Sequence, residues 1–167
     1  MGRTLVAGFG NVLRGDDGFG VEVIHSLQTD CSLGAGVELL EVGTGGIRLA
    51  QELLGGYDRL IVVDAMTRGG TPGTVYALEV ESVAPTREID LHLAIPSRAL
   101  SVAQALGVLP PQVFLVGCEP GEVDEFGTEL TPAVRIAVGA VIDQIRALIR
   151  LGAVRASPSG VQTKAIG

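Results

Sequence analysis

Five of the thirteen residues from Gly8 to Gly20 are glycine, in the order Gly-Phe-Gly-Asn-Val-Leu-Arg-Gly-Asp-Asp-Gly-Phe-Gly. Ordering a glycine costs more backbone entropy than ordering any other residue, so this density does not suit the interior of a helix or strand. It marks a loop that turns tightly or admits something close to its backbone. The apolar run Leu5-Val6-Ala7 leads into it, and Val21, Ile24 and Leu27 recur at helical spacing after it. The pattern is strand over residues 3–9, glycine-rich turn, acidic pair Asp16-Asp17, then helix over residues 17–29. His25 sits near the edge of that helical face and is expected to be structural.

The same alternation continues down the chain. Residues 37–42 form a second strand, which runs into the flexible Gly43-Thr44-Gly45-Gly46. Thr44 is placed there to cap a helix whose apolar positions are Ile47, Ala50, Leu53 and Leu54. Arg59 to Asp64 is the clearest strand, four apolar residues ending in a carboxylate. After the turn-rich residues 67–73, Thr74 to Val80 alternates and suits an edge strand, with an antiparallel course open to it. Pro96 suits the first turn of a helix, with Leu100, Ala103 and Leu106 on its face. Gln112 to Gly117 is a fifth strand, and Thr131-Pro132 opens a long amphipathic helix ending near Leu151. Residues 156–167 lack periodicity and are expected to be a disordered tail behind a single domain of residues 1–155.

Strands alternating with helices predict an α/β fold, a three-layer sandwich with a mostly parallel sheet of about five strands and helices on both faces. With 47% hydrophobic and 19% charged residues, the chain of 167 residues is globular in composition. Its net charge of −7, from 12 basic and 19 acidic residues, argues against nucleic-acid or anionic-membrane partners, which require clustered positive charge. No apolar stretch reaches the roughly 18 residues of a membrane span. Two cysteines, Cys31 and Cys118, form no framework, and reduced thiols in the cytoplasm are the expectation. The pattern leaves no apolar helix face obviously unburied, so a monomer is expected.

In such folds ligands bind beyond the carboxyl ends of the strands. That edge collects the Gly8–Asp17 loop, Glu41 to Gly46, and Asp64, with His92 on a loop able to fold over it. A dinucleotide site is a poor match. Gly8-Phe9-Gly10 opens the G-x-G-x-x-G fingerprint, but Leu13 stands at its last glycine, and Asp16 and Asp17 would repel a pyrophosphate. A phosphoacceptor receiver domain shares the acidic pair and the aspartate ending strand three, but Gly117-Cys118-Glu119 offers no lysine for a phosphoryl group. A third arrangement is Asp17, Asp64 and His92 converging as two carboxylates and an imidazole. That donor set suits a first-row divalent ion such as nickel, zinc or iron, and three ligands leave a position open for substrate. Singly, Asp17 and Asp64 serve equally well as caps and His92 as a structural histidine; their convergence is what points to chemistry.

The glycine loop with Asp16-Asp17-Gly18-Phe19-Gly20 resembles the N-terminal motif of the nickel–iron hydrogenase maturation proteases. Further landmarks follow in the family's order: Gly43-Thr44-x-Gly46, Leu60 to Ala65 with Asp64, Pro72-Gly73-Thr74, His92, Leu115-Val116-Gly117 with Glu119-Pro120, and Leu130-Thr131-Pro132. The similarity runs from about Leu5 to Ile149. It implies an endopeptidase that removes the C-terminal extension of a hydrogenase large-subunit precursor after nickel insertion. By the same resemblance, Asp17, Asp64 and His92 contact nickel that belongs to the substrate, and Gly8, Gly10, Asn11, Gly43, Thr44 and Gly46 line the cleft. With no Ser or Cys triad and no H-E-x-x-H helix, metal-assisted or carboxylate-assisted hydrolysis remains, with Asp16 or Glu41 open as general base. A nickel-sensing module that docks on the same precursor without cutting it is the alternative outside enzymes.

Overall fold

This computed structural model of the chain describes residues 2–30, 33–83, 94–121, 127–151 and 162–166. Cys31, His92 and much of the final dozen residues lie outside that set.

Three apolar runs become the centre of one sheet. β1 (Thr4–Phe9), β3 (Arg59–Ala65) and β5 (Gln112–Cys118) lie side by side in parallel, and every residue in them except Gln112 is buried. A strand covered on both faces has no polar side, which is why these runs are continuous rather than alternating. β2 (Val37–Gly43) adds to β1 in parallel, and β4 (Val75–Val83) adds to β5 in the antiparallel sense. The outermost strand, β6 (Gln162–Ile166), pairs in parallel with β4, giving the order β2-β1-β3-β5-β4-β6. The strand at 75–83 is thus antiparallel, yet it does not form the edge; residues expected in a disordered tail cover it.

α1 (Phe19–Gln28) and α4 (Pro132–Leu151) cover one face of the sheet, and α2 (Ile47–Leu53) and α3 (Ala94–Ala105) cover the other. α4 shows why these segments are helical: Val134, Ala137, Val141, Ile145 and Leu148 recur every three or four residues, and all five are buried. Each of the larger ones contributes about 1.5–3 kcal/mol by leaving water.

α2 departs from the pattern expected. Its N-cap is Gly46, without a side-chain cap, so Thr44 does not start it. Having only two turns, α2 buries the line Leu49, Ala50 and Leu53, leaving Ile47 71% and Leu54 66% exposed. Leu106 falls just past the end of α3 and is also exposed. These positions are apolar surface, contrary to the fully covered helix faces expected.

β1 has β2 on one side and β3 on the other. The connection leaving β1 therefore diverges from the one leaving β3, opening a crevice outside their carboxyl ends, where open α/β sheets bind ligands.

Candidate active site

One wall of the crevice is the glycine loop, and its glycines serve the chain itself. A Cβ on Gly8 would lie 2.4 Å from the carbonyl oxygen of Gly20, and one on Gly20 would lie 2.3 Å from the carbonyl oxygens of Phe9 and Val63. The start of α1 thus rests directly on the main chains of β1 and β3, with no side chain between. Gly10, at φ 135°, would bring a Cβ to 2.0 Å from the Asp17 carbonyl oxygen. Between these contacts, Asn11 accepts from the N–H of Leu13 at 3.0 Å through its side chain and donates its own N–H to the Asp17 carbonyl at 3.1 Å. Residues Gly15–Gly18 then form a single 3-10 turn, so α1 begins at Phe19, two residues later than its apolar pattern suggests. The N–H of Gly10 donates to the Gly43 carbonyl at 2.9 Å, tying this wall to the loop after β2.

Asp64 stands at the carboxyl end of β3, on the same side of the strand as Leu60 and Val62, which pack toward α2 and α3. It is buried. Burial first, and the neighbouring charge of Asp17 second, push its carboxyl well above the usual carboxylate range, against one hydrogen bond from the Ala65 N–H at 2.8 Å. Two of the expected site residues are therefore brought together, although they belong to different strand ends. His92 lies outside the described residues. Among the described residues no group of three His, Cys, Asp or Glu side chains is arranged to hold a metal ion.

The two residues expected as possible general bases are placed elsewhere. Asp16 is fully buried and turns away from its neighbour: Oδ1 accepts from the Thr131 N–H at 2.7 Å, and Oδ2 accepts from the Gly121 N–H and the Thr131 hydroxyl, both at 2.8 Å. Glu41 sits on the α1 side of β2, alternating with Leu40 and Val42 on the other side, and its carboxylate meets His25 Nε2 at 2.8 Å. The sheet thus stands between Glu41 and the face that carries Asp64. Gly43 and Thr44 lie at the rim, while Gly46 packs on α3, where a Cβ would come 3.1 Å from that of Ala99.

A third buried carboxylate, Glu119, not expected from the sequence, braces the loop after β3. Burial pushes the Glu119 carboxyl up, but the N–H groups of Arg68, Gly70 and Gly69 and the Tyr76 hydroxyl outweigh it and hold it below the usual range. The Arg68 N–H lies 2.8 Å and the Tyr76 hydroxyl 2.7 Å from Oε2. Cys118, next to it, is a buried free thiol pushed up to about 12, chiefly by burial and then by the charges of Asp16 and Glu119. A signal for Glu119 was present in the sequence: an acid directly after a fully apolar strand, opposite a loop rich in glycine N–H groups.

This arrangement matches known proteins along nearly its whole length. The family model for hydrogenase maturation proteases matches residues 21–148. The chain is 36% identical over 163 residues to a hydrogenase expression/formation protein of Rhizobium leguminosarum bv. viciae, covering 95% of this chain and 80% of that protein. It is 32% identical over 159 residues to the hydrogenase 2 maturation protease of Escherichia coli (strain K12), covering 93% of this chain and 96% of that one. The solved structure of the hydrogenase maturating endopeptidase HybD from E. coli superposes with a TM-score of 0.79 at 32% identity, over 90% of this chain and 93% of that chain.

Proposed function

The chain belongs to the hydrogenase maturation protease family, a family of peptidases, and we propose that it removes the C-terminal extension of a nickel–iron hydrogenase large-subunit precursor after nickel insertion. Nickel is part of the substrate in this reading, and Asp17, Asp64 and His92 contact it. The observation that carries the reading is the pairing of Asp17 with buried Asp64 at the crevice. A buried carboxyl group whose ionisation is opposed by burial and by a neighbouring carboxylate is poised for a cation, whose arrival turns that opposition into attraction. Two oxygens with an imidazole nitrogen suit a first-row divalent ion better than magnesium or calcium.

The chain's own work is then largely orientation. Asp17 and Asp64 hold the nickel-bearing segment at a fixed place, so the peptide bond to be cut is presented to water in one geometry. α3 begins at Ala94, two residues beyond His92, and its Ala99 packs on Gly46 beside the crevice rim. No helix among the described residues is long and apolar enough to cross a membrane. The free thiol of Cys118 suits a reducing compartment, and we place the reaction in the cytoplasm, on a single-domain monomer.

Mass spectrometry of the precursor, incubated with the purified chain with and without nickel, tests the reading. A shortened large subunit only when both are present is expected. Single alanine replacements of Asp17, Asp64 and His92 are each expected to slow processing on the order of 100-fold. Intact precursor in a stable complex with the chain would establish a docking module instead, and unaltered processing by all three variants would remove these residues from the site.

A further inference from the structure

Asp16 is adjacent to Asp17 and fully buried, and the hydrolysis described above assigns it no part. Its carboxylate joins three stretches of chain: the 3-10 turn that carries it, the residues just past β5 through the Gly121 N–H, and the start of α4 through the N–H and hydroxyl of Thr131. A carboxylate accepts about four hydrogen bonds, and fixed donors fill at least three of those places. Such an oxygen pair has little capacity left for a substrate proton, and Asp16 is fully buried.

What the contacts do achieve is to immobilise the next residue. The Asp17 N–H donates to the Arg14 carbonyl at 3.2 Å, and the Asp17 carbonyl accepts from the Asn11 N–H at 3.1 Å while lying against Gly10. The far side of the turn is held by the Gly15 N–H, which donates to the Gly127 carbonyl at 2.8 Å. These are main-chain contacts within or beside the loop. Asp16 supplies the side-chain tie from the turn into the buried body of the molecule.

We propose that Asp16 is a positioning residue, a buried clamp that fixes the turn bearing Asp17 to the β5–α4 connection and so sets where the Asp17 carboxylate stands. Its effect on the reaction rests on the function proposed above, whereas its effect on the turn does not. A charge-assisted clamp gives up little geometry to thermal motion, and a misplacement of about 1 Å at a reacting site costs on the order of 100-fold in rate.

The test combines amide hydrogen exchange with processing of the nickel-loaded precursor by Asp16→Asn, Thr131→Val and Thr131→Ser. In Asp16→Asn the amides of Asn11, Asp17 and Gly121 are expected to exchange about tenfold faster, while those of β1, β3 and β5 stay protected. Its processing rate at saturating precursor should fall about 30-fold, with the half-saturating concentration changed by less than about threefold. Thr131→Val should show a smaller loss of the same kind, and Thr131→Ser, which keeps the hydroxyl, should restore the wild-type rate. Should Asp16→Asn fail to fold, this Thr131 pair carries the test alone. Wild-type processing by folded Asp16→Asn, an equal loss in Thr131→Val and Thr131→Ser, or faster exchange spread evenly over the sheet would overturn the clamp. So would rescue of Asp16→Asn by added formate, which would make the residue a proton acceptor. If the wild-type chain leaves the precursor intact, the proposed function falls, and the clamp stands or falls on the exchange pattern.

Discussion

Asp64 is a buried carboxyl group that feels the charge of a second carboxyl group, Asp17, and both burial and that neighbouring charge keep its proton affinity well above the ordinary carboxylate range. A protein that needed only to be stable would not retain this pair, because desolvation and repulsion both weigh on the folded state. Asp64→Asn keeps the acceptor for the Ala65 N–H and removes the charge. It is expected to stabilise the metal-free chain by roughly 1–2 kcal/mol in urea unfolding while abolishing precursor processing. A destabilised Asp64→Asn would show that the carboxyl group is part of the scaffold.

Backbone contact at the glycines makes a sharp stability prediction. A Cβ at Gly20 would meet two main-chain carbonyl oxygens at 2.3 Å, in strands that cannot shift separately. Gly20→Ala should cost about 3 kcal/mol, at the upper end for overpacking. Gly45, with nothing within 4 Å of its Cβ position, is the control; Gly45→Ala should change stability by less than about 0.5 kcal/mol. Chemical denaturation of the two variants decides.

Glu119 should behave as a brace sensitive to acid. Glu119→Ala strands the N–H groups of Arg68, Gly69 and Gly70, and is expected to cost about 2–4 kcal/mol. The sign of the pH effect follows from the lowered folded value. The carboxylate's contribution is complete above the usual glutamate value of 4.5 and fades as acid protonates the folded form. The difference in Tm between wild type and Glu119→Gln should therefore hold steady above the usual glutamate value of 4.5 and narrow as the pH falls below it.

Cys118 provides the opposite pH signature. Its thiol is raised from 9.0 to about 12 in the folded chain, so it stays neutral where the unfolded thiol ionises. The resulting stability is present in full below pH 9.0 and is lost as pH rises toward 12. In a Cys31→Ser background, Cys118 should resist a thiol-reactive dye at pH 8 in buffer and react fully in denaturant. Rapid labelling of the native chain would contradict the burial seen here.

The central strands were legible because burial on both faces leaves only one kind of sequence, the continuous apolar runs of β1, β3 and β5. α4 was legible for the complementary reason, a one-sided stripe from Val134 to Leu148. β6 was not, since residues 162–166 take their conformation from hydrogen bonds to β4 and carry no local periodicity of their own. Ile47, Leu54 and Leu106 have helical spacing without helical burial, because spacing does not report where a short helix ends. The site divides similarly. Asp17 and Asp64 were placed together by the rule that ligands gather at strand ends, whereas Asp16 and Asp17 are indistinguishable as adjacent letters. Only the positions of Gly121 and Thr131, more than a hundred residues away, separate the buried acid from the one whose charge reaches Asp64.

The joint between Gly8 and Gly20 is built from main chain pressed on main chain, and it offers a partner almost no chemical lettering to read. Discrimination between one precursor and another is then expected in the loops after β2 and β3, the first of which is tied to the glycine loop by the Gly10 N–H on the Gly43 carbonyl. Frame and address occupy separate stretches of the chain. We expect that a chain of this design is redirected to a new precursor by rewriting its loops, with the joint left as it is.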